Sequence, residues 1–116
     1  MANALSHFEV MTNDPRKCKA FYGAVFDWTF DDDSMPGYSL INTGAEPSGG
    51  VMARPADAPA PALHVYFQVE NISNTLRKAT NAGGSVIVPS TDIPNVGTFA
   101  MIADPEGIVF GILKPQ

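Results

Sequence analysis

The sequence predicts an α+β fold made of two βαβββ modules, and three observations carry that prediction. Strand-like and helix-like stretches follow one another in the same order in each half of the chain. A proline and alanine segment, RPADAPAPA, lies between the halves and offers little to a core. His7 stands seven residues before the helix-cap candidate Asp14, and His64 stands seven before the cap candidate Asn71. The two histidines therefore hold the same place in their first strands, as an internal duplication would put them.

Leu5 to Met11 alternates and is rich in β-formers, which predicts a strand. Asp14-Pro15 then reads as an N-cap with proline at the first helical position. In PRKCKAFYGAVF the apolar residues Cys18, Phe21, Tyr22 and Val25 recur at i, i+3, i+4 and i+7, the stripe of an amphipathic helix. Short strands are expected at Trp28 to Asp31, Tyr38 to Asn42 and Gly50 to Arg54, with Asp31-Asp32-Asp33 as a solvated turn. Beyond the proline segment, Leu63 to Val69 reads as a strand. Asn71 caps a helix carrying Ile72, Leu76 and Ala79, which stops at Gly83-Gly84. Strands follow at Ser85 to Pro89, Thr98 to Ala103 and Ile108 to Leu113.

A chain of 116 residues suits one domain. Its first module is expected over about residues 1–54, a linker over about 55–62 and the second module over about 63–116. With 45% hydrophobic and 16% charged residues the chain has the composition of a folded protein. The net charge of −5 and the lack of a basic run argue against nucleic acid as a partner. No apolar run is long enough to span a bilayer, and the first residues show no secretion-signal pattern, so the sequence reads as cytoplasmic. Cys18 is the single cysteine, placed on the apolar stripe where packing is its expected role.

A duplicated βαβββ unit together with HFEV, AFYGAVFDW, HVYFQV, AGGSVIVP and TFAMIADPEGIVFGI resembles the vicinal oxygen chelate superfamily of glyoxalases, bleomycin-resistance proteins and extradiol dioxygenases. The resemblance covers essentially the whole chain and is nearest to short bacterial proteins related to lactoylglutathione lyase. It implies mixed sheets curled around a central cleft, helices outside, a small-molecule ligand in the cleft and a homodimer. It also implies a divalent metal, zinc, nickel, manganese or iron, held by one ligand from the first strand and one from the last strand of each half.

His7 and His64 match the first-strand ligand positions. The last-strand positions do not carry over: Gly111 stands where the second half would have its glutamate. In the first half the match falls on Val51 or on Arg54, depending on the alignment. Two histidines alone fall short of a catalytic metal site, so no cofactor is the expected state, with a divalent metal as the alternative. Without the carboxylate, hemithioacetal isomerisation lacks its base and an iron site its third ligand. The resemblance leaves both an enzyme and a binding protein open.

Strand alternation puts His64, Tyr66 and Gln68 on one face, and His7 with Glu9 likewise. Glu9, Tyr66 and Gln68 are therefore the expected polar handles of a ligand site, with Val109 and Leu113 flanking a gap above Gly111. A glycine inside a strand marks a bulge, a close backbone approach or vacated space, and vacated space is the expectation for Gly111.

Overall fold

The computed structural model describes residues 2–58 and 60–116. Met1 and, inside the expected linker, Pro59 lie outside the described residues. The elements are β1 (Leu5–Thr12), α1 (Pro15–Phe26), β2 (Thr29–Met35), β3 (Tyr38–Asn42), β4 (Gly49–Ala53), β5 (Ala62–Gln68), α2 (Ile72–Asn81), β6 (Ser85–Ile93), β7 (Gly97–Ala103) and β8 (Val109–Pro115). The order is strand, helix and three strands, twice.

The chain forms two compact units: His7–His64, and Val65–Gln116 together with residues 2–6. The break therefore falls inside β5 rather than in the proline segment. Hydrogen bonds explain why the first residues join the later unit. Gln68 N donates to the Ala4 carbonyl at 2.8 Å, and Asn3 Nδ2 donates to the Gln68 carbonyl at 2.9 Å.

In the His7–His64 unit, α1 starts as its sequence requires. Asp14 accepts from Lys17 N at 3.2 Å, Pro15 occupies the first turn, and Asp27 ends the helix in the left-handed conformation. The sheet order is β2-β3-β4-β1, with β1 and β4 parallel and the other pairs antiparallel. Phe8 pairs with Gly49, Gly49 with Ile41, and Ile41 with Phe30. Cross-strand partners share a face, so this row and its neighbour through Val10, Val51 and Ser39 form the helix side. Val10, Ile41 and Val51 are buried there against Phe8, Cys18, Tyr22, Trp28 and Phe30.

Two expectations are corrected in this unit. Only Cys18 and Tyr22 of the predicted α1 stripe pack on the core; Phe21 and Val25 are exposed. Asp31-Asp32-Asp33 lies within β2, not in a turn, although the β2–β3 register slips between Asp31 and Met35. Local partners satisfy the acids where the ladder slips. Asp31 accepts from Asp33 N and Ser34 N, while Asp32 receives Lys19 Nζ at 2.9 Å and the Ser39 hydroxyl.

In the other unit the sheet order is β5-β8-β7-β6, with β5 and β8 parallel. Asn71 caps α2 by accepting from Asn74 N at 2.9 Å, and the chain leaves the helix through Gly83, whose φ of +98° favours glycine. Val69, Ala100, Ile102 and Ile112 form a buried cluster with Ile72 of α2, and Leu76, Ala79 and Phe110 pack against it. No helix among the described residues is long and apolar enough to cross a membrane.

Candidate functional site

The faces turned away from the helices carry the residues of interest. In the His7–His64 unit one row runs Glu9, Gly50, Leu40, and the next runs Met11, Met52, Tyr38. Tyr38 leans out of its own row: its ring sits directly over Gly50, where any β-carbon would overlap it. Gly49, the preceding residue, faces the opposite side and receives the Phe8 ring, 2.7 Å from where a β-carbon would stand. The Gly49-Gly50 pair thus seats one aromatic ring on each side of β4.

The seat brings the Tyr38 hydroxyl between two polar side chains of β1. It lies 2.8 Å from His7 Nε2 and 3.1 Å from Glu9 Oε1, to which it donates. A phenol has a single hydrogen, so with Tyr38 donating to Glu9 the proton in the other bond belongs to His7. His7 is then the Nε2–H tautomer. Burial lowers its pKa from the usual imidazole value, which favours this neutral form. Met11, Leu40 and Met52, all half-buried, share the face.

The other unit repeats the seat with different residues. Tyr66 pairs with Gly111, Gly111 with Met101, and the Tyr66 ring covers Gly111. Tyr66 is buried, and Phe99 meets its ring edge to face at 6.4 Å between centroids. The expected gap above Gly111, flanked by Val109 and Leu113, is therefore corrected: the Tyr66 ring fills it, and Gly111 marks a close approach. The first-half counterpart also changes. Glu9, two residues after His7, pairs with Gly50, as Tyr66, two after His64, pairs with Gly111. Gly50, not Val51 or Arg54, is the matching position.

Gln68 is exposed, and Val109 and Leu113 are half-buried on β8. His64 is half-buried, and its Nδ1 is the one buried side-chain nitrogen or oxygen without a hydrogen-bond partner among the described residues. By sequence alone Tyr38, like Met52, reads as a residue that lines a cavity or fills the core, with core the commoner fate. The signal that could have found it is the Gly49-Gly50 pair, which calls for a ring on each side.

The residues do not fit a divalent centre of the expected kind. A protonated Nε2 has no lone pair for a cation, and Gly50 and Gly111 supply no donor beneath their tyrosine rings. Among the described residues no group of three or more His, Cys, Asp or Glu side chains comes together to hold a metal ion.

Residues 4–112 match the profile of a family described as the glyoxalase/bleomycin resistance protein/dioxygenase superfamily. The chain is 38% identical over 110 residues to a Mycobacterium tuberculosis protein named "Putative glyoxylase CFP32", covering 92% of this chain and 42% of that protein. It is 25% identical over 124 residues to the anthracycline biosynthesis protein DnrV of Streptomyces peucetius, covering 92% of this chain and 45% of the other. The chain thus spans less than half the length of these curated relatives. A Mn(II)-bound glyoxalase from Novosphingobium aromaticivorans shares the fold with a TM-score of 0.67 and 16% identity, covering 95% of this chain and 37% of that one.

Proposed function

Since the chain belongs to the glyoxalase/bleomycin resistance protein/dioxygenase superfamily, we propose that it binds a small hydrophobic or aromatic molecule without a divalent metal, as a cytoplasmic homodimer. The observation that carries this reading is the His7–Tyr38–Glu9 chain of hydrogen bonds, set among Met11, Leu40 and Met52. Apolar walls with a few convergent polar groups are the usual make-up of a small-molecule site, and methionine adapts its shape to flat ligands. The ligand exchanges hydrogen bonds with the Tyr38 hydroxyl and with Glu9, while the methionines take its apolar body. In the other unit Tyr66, Gln68, Val109 and Leu113 are the candidate contacts; in the His7–His64 unit the buried His64 Nδ1 is open to a hydrogen bond from a ligand.

The alternative is a metal-dependent lyase, isomerase or dioxygenase using His7 and His64 with zinc, nickel, manganese or iron. It would require the Tyr38 bond to His7 Nε2 to break and a third donor to be found, so the observed hydrogen bonds favour the metal-free reading.

The DnrV likeness suggests hydroxylated anthraquinones as probes. Isothermal calorimetry in the presence of EDTA is expected to show binding to the wild-type protein. Tyr38→Phe, which removes only the hydroxyl, should weaken it about tenfold or more, the worth of a hydrogen bond to a charged group. Equal affinity in the two proteins would remove Tyr38 from the site. Failure of every quinone in the series to bind would count against an aromatic ligand.

A further inference from the structure

The His7–His64 unit holds an open hollow of about 640 Å³ on its helix side, bordered by α1, the end of β1 and the start of β5. Cavities of this size accept small molecules. None of His7, Tyr38 and Glu9 lines it, and of the methionines and leucine around their hydrogen-bond chain only Met11 also borders it. Its lining divides by polarity. Asn13, Asp14 and Lys17 gather where β1 passes into α1, whereas Cys18, Phe21 and Tyr22 follow further along the helix, with Leu63 contributed by β5. Phe21 is 60% and Leu63 63% exposed, so this apolar lining is open to an incoming molecule.

The polar end presents donors. Asn13 Oδ1 accepts from Arg54 Nε at 2.7 Å, so what that amide offers a ligand is its Nδ2 hydrogens. Asp14, the one acid there, is engaged as the helix cap, accepting from Lys17 N at 3.2 Å. Lys19 is paired with Asp32 at 2.9 Å, while Lys17 has no carboxylate partner among the described residues. We infer that the hollow is a second ligand site, for an amphiphilic monocarboxylate of the medium-chain fatty-acid type. Lys17 Nζ and Asn13 Nδ2 hold the carboxylate, and the alkyl chain lies along Cys18, Phe21, Tyr22 and Leu63. A cationic head would meet Lys17 as a like charge, and a neutral one would leave that charge unmatched.

Isothermal calorimetry with decanoate, 1-decanol and decyltrimethylammonium, each below its solubility or micelle limit, tests this, with circular dichroism as the check of fold. The wild type is expected to bind decanoate best and the cation worst. Lys17→Met keeps the stem and removes the charge; it should weaken decanoate about fivefold, the upper scale of an exposed ion pair, and leave 1-decanol unchanged. Phe21→Ser should weaken both about tenfold through lost apolar contact. Tyr38→Phe should leave decanoate affinity intact, and Phe21→Ser should leave quinone affinity intact, so the two sites succeed or fail separately. Equal decanoate affinity in Lys17→Met and wild type would overturn the assignment, as would decanoate binding lost in Tyr38→Phe. Absence of decanoate binding at millimolar concentration would also overturn it. If a lower sedimentation coefficient of Phe21→Ser accompanied that absence, the groove would belong to a second copy of the chain.

Discussion

Gly111→Ala is expected to destabilise the protein by about 2 kcal/mol, within the range for overpacking a filled site. The sign carries the information. Glycine in a strand interior is disfavoured relative to alanine by about 0.5–1 kcal/mol, so over an open hollow the substitution would stabilise. Here the added carbon meets Cγ, Cδ2 and Cε2 of Tyr66, including the root of a ring that is only 7% exposed and has Phe99 at its edge. The ring cannot swing clear without moving the sheet. Urea unfolding followed by circular dichroism reads the effect as a lower midpoint at unchanged slope. A raised midpoint would restore the hollow above Gly111 and remove the close approach. In a Tyr66→Leu background the loss should shrink, since the two changes share one space.

Gly50→Ala is expected to behave differently, because its β-carbon meets the far end of Tyr38: Cζ, Cε2 and the hydroxyl. That end is half-buried and can move, so the stability cost should stay below about 1 kcal/mol, the scale of a small rotamer shift. The movement takes the hydroxyl away from His7 and Glu9. Affinity for the anthraquinone probe should therefore fall about tenfold, as in Tyr38→Phe, with no further loss when the two substitutions are combined. Full additivity in calorimetry would mean that Gly50 acts on the ligand by some route other than seating the ring.

How far the sequence revealed these features depended on range. Asp14-Pro15 and Asn71 were legible as caps because capping is settled within a few residues, and both helices begin where those caps stand. The matching places of His7 and His64 were legible as a spacing. What was not legible depended on which strands lie side by side. Gly111 allowed several readings until Tyr66 appeared opposite it, and Gly50 was passed over because the counterpart of Gly111 is fixed by the parallel β1–β4 register. Tyr38 reaches its partners diagonally across the sheet, which alternation along its own strand cannot reveal. The α1 stripe had the correct period, yet period alone does not say which apolar residues are covered, and Phe21 and Val25 face outward. Asp31 to Asp33 reads as a turn by composition; the stretch lies within β2, and the turn chemistry shows only as a slip in the β2–β3 register.

The most direct measurement concerns the ring nitrogens of His7. Two-dimensional ¹H–¹⁵N spectroscopy of the imidazoles, with His7 assigned through a His64→Gln variant, reports which nitrogen carries the proton. The hydrogen-bond chain predicts a neutral ring protonated at Nε2 near neutral pH, unmoved when zinc or manganese is added. An unprotonated Nε2 whose signal shifts or broadens on metal addition would show that this nitrogen faces a cation instead of the Tyr38 hydroxyl, and would contradict the account.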